Sequence, residues 1–120
     1  IIMAGMGWLT GTMAAPLTAK ICRGNNARVV AVGTAPFAFE GKLPADNATF
    51  GLSELKKYAD RVVVHSLEQQ IQFRKETVTI LEAFDLGINL LQQTALSLAD
   101  GFNRHDSGSW RGYTRRFRQE

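Results

Sequence analysis

Residues 4–16, AGMGWLTGTMAAP, decide how this chain is read. The apolar run Ile1, Ile2, Met3 enters a turn bearing Gly5, Gly7 and Gly11, and the turn leaves into the helix-forming run AAPLTAKI. Strand, tight turn and helix N-terminus in that order bring backbone N–H groups and the positive end of a helix dipole to one point, which suits a phosphate. Glycine belongs there because a Cβ would hold the backbone away from the ligand and forbid positive φ. Yet Trp8, Leu9 and Met13 stand among the glycines, three bulky side chains where close approach matters most. Two readings stay open. Either these side chains fill the space of a nucleotide as a packed loop, or the loop rearranges and keeps residual binding.

The neighbouring segments set the fold class. A helix is predicted from about Gly11 to Ile21, with Pro16 acceptable only in its first turn. Arg28–Thr34 (RVVAVGT) and Arg61–His65 (RVVVH) are apolar, β-branched runs without polar alternation, as in parallel strands covered on both faces. Between them a loop marked by Pro and Gly, Ala35–Ala45, precedes a helix from about Asp46 to Tyr58. Phe50, Leu52 and Leu55 are expected on its inner face, with Glu54, Lys56 and Lys57 in water. Glu76–Ala99 is the longest helical signal and is apolar on most of its circumference, so it is either buried or covered by a second domain. Strands alternating with helices predict an α/β architecture with a parallel sheet. The chain divides into an α/β part over 1–75, a long central helix over 76–100 and a basic, flexible tail over 101–120.

A chain of 120 residues is one domain or part of one. It opens inside a strand, so a fragment is expected, and it shows no signal peptide. No run approaches the roughly 18 apolar residues of a membrane span. Cys22 is alone, which excludes a disulfide framework, fits a reducing cytoplasm and suggests a buried, inert thiol. His65 and His105 have no partner at metal-ligand spacing, so no metal site is expected from the residues. Acidic and basic side chains balance over residues 1–100, and the net charge of +3 resides in the last twenty. There Arg104, Arg111, Arg115, Arg116 and Arg118 face only Asp106 and Glu120, interleaved with Phe102, Trp110, Tyr113 and Phe117. Such a tail is compatible with nucleic acid or an anionic membrane surface, or with a disordered or out-of-frame terminus.

In open α/β sheets ligands bind beyond the carboxyl ends of the strands. The loops there are Gly5–Thr12, Ala35–Ala45 and the segment after His65. Gly5 and Gly7 open a G-x-G, but Gly11 comes one residue late for a dinucleotide fingerprint, and the strand Val29–Thr34 ends without the required acid. A P-loop is excluded because no G-K-[ST] follows the glycines.

AGMGWLTGTMAAP resembles the signature loop of the tubulin/FtsZ GTPase family, which in bacterial FtsZ reads approximately AGMGGGTGTGAAP. The resemblance runs without a gap through VGTAPFAFEGK, GLSELKKYAD and TILEAFDLG, over roughly residues 1–100. It implies part of a Rossmann-like GTPase domain of tubulin/FtsZ type, from a cytoplasmic protein of cell division that polymerises head to tail. By resemblance, Gly7, Trp8, Leu9, Thr10, Gly11, Thr12 and Met13 occupy the phosphate loop, with Trp8, Leu9 and Met13 in place of glycines. Glu40 matches the acid that contacts the ribose, and Pro44 replaces an arginine. Phe84 matches the aromatic beside the guanine. The residue that pairs with the base edge falls on Ile88, with Asn89 next to it as a substitute. Ser66 and Leu67 stand where the family has Pro and Asn.

The family's N-terminal half, with a second glycine-rich loop, and its catalytic acidic loop have no counterpart in the sequence, so no catalytic residue is assigned. The implied ligand is GTP or GDP, weakly held, with Mg2+ only alongside GTP. The implied partners are the chain itself or full-length FtsZ. Three functional classes follow: a GTP-binding division-protein fragment with little or no hydrolysis, a non-enzymatic module docking on FtsZ filaments, and a binder of nucleic acid or membrane through the tail.

Overall fold

The computed structural model describes residues 1–72 and 77–104, with backbone alone over 102–104. Of the tail predicted over 101–120, residues 105–120, with His105, Asp106 and the remaining arginines, lie outside the described residues, as does Glu76, while 101–104 belong to the last helix. In chain order the elements are β1 (Ile2–Gly5), α1 (Leu9–Gly24), β2 (Val30–Ala35), α2 (Lys42–Tyr58), β3 (Arg61–Ser66), α3 (Leu67–Gln72) and α4 (Ile80–Arg104). A single 3-10 turn, Ala38–Glu40, separates β2 from α2. The three strands form one parallel sheet in the order β1-β2-β3, with Met3 opposite Val32 and Val32 opposite Val63.

Central β2 explains its own composition. It is paired on both edges and buried along almost its whole length, so no polar alternation is called for. Successive side chains still point to opposite faces. Ala31 joins Ala15 and Ala19 of α1 and Leu55 of α2 in one cluster, with Val62 packed beside it. Val30 and Val32 face the other way, onto Leu98 and Leu91 of α4 and Val63 of β3. Helices on both faces of a parallel sheet make the α/β class predicted from the sequence. At the strand starts Asp60 accepts the Val29 N–H at 2.7 Å while its own N–H reaches the Val29 carbonyl at 2.8 Å, tying β2 to β3.

Four local expectations are corrected. First, α1 begins at Leu9, not Gly11, so Pro16 lies inside the helix. An interior proline removes the N–H that would bond Thr12 O and costs about 3 kcal/mol. Burial of Ala15, Pro16 and Ala19 against the sheet side offsets that loss. Second, α2 begins at Lys42, so that Pro44 sits in its first turn, where a proline forfeits no helix bond. Third, Phe50 is exposed, and the inner face of α2 is Pro44, Ala48, Gly51 and Leu55. Small residues prevail because α1 approaches closely: a Cβ on Gly51 would stand 2.6 Å from Thr12 Cγ2 and 3.0 Å from Thr12 O. Fourth, α4 divides its apolar circumference. Ala83, Thr94 and Leu98 are buried, whereas Ile80, Leu81, Phe84, Ile88 and Leu96 are exposed among the described residues.

Candidate functional site

The turn after β1 is only three residues long, Met6–Trp8. Gly7 takes a φ of +115°, a conformation strained for any side chain, and a Cβ there would press on Pro36 at 3.2 Å. Its N–H donates to the buried Thr12 hydroxyl at 3.0 Å, and its carbonyl accepts from Asn47 Nδ2 at 3.1 Å. Met6 N–H donates to Thr34 O at 3.0 Å, which fastens the turn to the end of β2. Gly11 is pressed on β1 so closely that a Cβ would fall 1.9 Å from Gly5 O. Its absence of side chain therefore serves packing of the first turn of α1 on the strand end. Trp8 is the N-cap residue of α1 and supplies no side-chain acceptor, and the first turn holds no acid. The first N–H groups of α1 are thus left without a side-chain cap at the positive end of the helix dipole.

The loop after β2 comes to meet this turn. Glu40 accepts the Phe37 N–H on Oε1 at 2.8 Å and the Trp8 indole N–H on Oε2, also at 2.8 Å. One carboxylate therefore shapes its own loop and clasps the neighbouring one. From behind, Glu68 of α3 accepts the Ala38 N–H at 2.9 Å. Phe37 is buried with Leu67 and Ala83, stacks on Phe39 at 4.9 Å and meets the edge of Phe84 at 5.8 Å.

Between the two loops and α4 lies a cleft of about 260 Å³ at the carboxyl ends of β1 and β2. Its α4 wall is Phe84, Gly87, Ile88 and Leu91, its mouth Trp8 and Glu40, and its floor includes Met6, Thr34 and Leu67. Gly87 is there for a packing reason: a Cβ would stand 2.8 Å from Leu67 Cδ1. Sequence reading placed Leu67 in the ligand-side segment after His65 but missed α3 and the packing of Leu67 under Gly87. A glycine inside a long apolar helix is the signal that something packs closely against it, and that something is Leu67.

Among the described residues no helix is long and apolar enough to cross a membrane. The model of the Tubulin/FtsZ family, GTPase domain, matches residues 1–74.

The chain belongs to the tubulin/FtsZ family.

Curated relatives agree. The chain is 38% identical over 99 residues to the cell division protein FtsZ of Buchnera aphidicola subsp. Baizongia pistaciae, covering 82% of this chain and 26% of that protein. It is 34% identical to FtsZ of Haemophilus influenzae, covering 82% and 24%. Among solved structures, a mutant FtsZ of M. jannaschii superposes with a TM-score of 0.74 at 35% identity, covering 78% of this chain and 28% of that one. An empty FtsZ dimer of the same organism gives a TM-score of 0.71 at 37% identity, covering 75% and 26%. The chain thus spans about a quarter of the length of these relatives.

The positions assigned from the tubulin/FtsZ resemblance separate in space. Trp8, Glu40, Phe84 and Ile88 line one cleft, although they lie up to eighty residues apart. Gly7, Gly11 and Thr12 build the turn and the start of α1 beneath it. Thr10 and Asn89 are exposed and are not part of the cleft lining. Leu9 and Met13 are 77% and 55% exposed and are not part of the cleft lining. Trp8 is 63% exposed and rests at the mouth, tied to Glu40.

Proposed function

We propose that residues 1–75 form the second half of an FtsZ-like guanine-nucleotide domain, followed by its central helix, and that the chain binds GTP or GDP weakly with little or no hydrolysis. One observation carries this reading: Trp8, Glu40, Phe84 and Ile88, each assigned to the nucleotide by resemblance, line a single cleft at the carboxyl ends of parallel strands. The uncapped first turn of α1 next to that cleft offers N–H groups to a phosphate. Binding is weak because Glu40 already has both oxygens engaged, and because Pro44 and Ile88 bring no charge or hydrogen bond to the ligand. Hydrolysis needs a positioned water and charge stabilisation around the phosphate, and among the described residues no acid besides Glu40 lines the cleft. Among the described residues no three His, Cys, Asp or Glu side chains cluster, so no step is assigned to Mg2+.

The test is equilibrium titration of the 120-residue chain with labelled GTP and GDP. Saturable binding in the micromolar to millimolar range is expected, and no saturation below millimolar would overturn the reading.

A second reading has its own observation. Leu9, Met13, Leu17 and Ile21 recur every fourth residue along α1 and are all more than half exposed, an unpartnered apolar stripe. It favours a module that docks on itself or on full-length FtsZ in the cytoplasm. Co-sedimentation with FtsZ polymers tests it, and unchanged polymer mass on adding the chain refutes it.

A further inference from the structure

We infer that the outer surface of the α1–α2 pair seats a second copy of this chain in a closed two-fold dimer. The inference rests on the reading of α1 as a docking face, and it chooses between the two partners named there. α1 and α2 run side by side and parallel. Gly7, just before α1, lies against Pro44 in the first turn of α2. At the far ends Lys20 stands over the Tyr58 ring, and Arg23 donates to the Tyr58 carbonyl at 3.3 Å. Between these ends the helices come close at Thr12 and Gly51.

That contact fixes which side chains look outward, because one residue along a helix turns the side chain by about 100°. On one side of it Gly11 meets Gly5 of β1, and Leu52 lies over Gly33 of β2. On the other side, away from the sheet, stand Met13 of α1 and Phe50 of α2, both more than half exposed. Leu9 and Leu17 lie one turn to either side of Met13, Ile21 one turn further, and Leu43 two turns before Phe50. These four are more than half exposed as well. The result is two apolar ridges with a shallow groove between them, floored where Thr12 and Gly51 bring the backbones together.

Three features select a copy of the same chain as the occupant. The first is area. At roughly 200 Å² for a fully open large apolar residue, the six expose roughly 700 Å². A standard interface takes about 800 Å² from each partner, so the patch and a thin rim make up one half of it. The second is shape. A two-fold contact sets the same surface against itself, and here the ridge and the groove that receives it lie on one chain. Rows of residues four apart, such as Leu9, Met13, Leu17 and Ile21, interdigitate at a crossing of about −50°. The third is charge. Within α2 Lys42 pairs with Asp46 at 3.3 Å and Lys57 pairs with Glu54. The α2 rim therefore asks for no opposite charge, and two copies meet there without like-charge repulsion.

Sedimentation equilibrium of the 120-residue chain across about 1–300 μM, with thermal unfolding at the same concentrations, decides the matter. The expected mass at the upper end is twice the 13.2 kDa of one chain. Tm is expected to rise with concentration, because a partner that binds only the folded chain stabilises it. Met13→Gln and Phe50→Gln are polar changes at open helix positions, which leave the fold intact. Each is expected to weaken the dimer about tenfold or more, while Leu81→Gln on α4 leaves it unchanged. A single-chain mass at every concentration overturns the inference. If that chain still co-sediments with FtsZ polymers, the docking-face reading stands with FtsZ as its partner; if it does not, both fall. A dimer of undiminished strength in both ridge variants, or one lost in Leu81→Gln, overturns the choice of surface. A mass that keeps growing past twice that of the chain overturns the closed two-fold arrangement.

Discussion

The two faces of the sheet are packed by opposite means. Under α1 and α2 the contacts are short and small: Ala15, Ala19, Ala31 and Gly51 let backbones approach, and Leu55 fills the middle. Under α4 the contacts come from larger side chains, with Leu91 and Leu98 of its later half on Val30 and Val32. Its earlier half, Ile80–Ile88, turns apolar side chains outward and supplies one wall of the cleft. The lesson is a division of labour. The α1–α2 face is over-determined and fixes where the turn after β1 lies, while the start of α4 keeps apolar surface free for something other than the core.

That contrast yields a graded set of expectations. The largest effect belongs to Gly11→Ala, whose Cβ would meet the Gly5 carbonyl at 1.9 Å. Backbone must move, and a loss of about 3 kcal/mol or failure to fold is expected in urea denaturation. Next is Leu55→Ala, at 1% exposure, expected to lose about 2–5 kcal/mol. Leu81→Ala, at 77% exposure on the other side, should stay within about 0.5 kcal/mol. Equal losses for these two would dissolve the contrast between the faces. Smaller than the Leu55 loss is Trp8→Phe, which keeps a ring at the mouth and removes the donor to Glu40. An exposed hydrogen bond contributes about 0.5–1.5 kcal/mol, so GDP affinity is expected to rise a few-fold while the unfolding midpoint barely moves. Lower affinity would show that the indole N–H helps the ligand and does not hold the mouth shut. The smallest effect is a pH dependence far from the cleft. The hydrogen bond to Glu54 holds the Lys57 ammonium above its ordinary value of 10.5. Any stability it gives is present below that pH and fades as pH rises through the raised value, and Lys57→Gln should flatten that alkaline decline in thermal unfolding.

Much of this was legible along the chain. The β-branched run at Val29–Thr34 has no polar alternation because both faces are covered, whereas Arg61–His65, with the same pattern, pairs on one side in the described sheet and leaves Val64 39% exposed. Helix starts were misplaced for a reason: Leu9 and Lys42 begin helices without a side-chain cap, so the usual N-terminal signal was missing. Phe50 was misassigned because the apolar pattern of the helix carries no sign that α1 comes closest at Gly51, where only a small residue fits. In the site, Trp8, Glu40, Phe84 and Ile88 were assigned to one nucleotide by resemblance alone. Their meeting in one cleft, and the clasp of Trp8 on Glu40, join residues thirty or more positions apart and leave no local trace.

Apart from α3, the order and kind of elements, the parallel sheet and the glycine turn were therefore determined by the sequence, since each follows from periodicity, β-branching or the steric freedom of glycine. The tertiary structure alone decided which apolar residues are core and which are open. It sent Leu9 and Met13 to solvent, brought Leu67 under Gly87 and turned Ile88 to the cleft. The physical reason is that burial depends on what an element packs against, and those partners lie far along the chain.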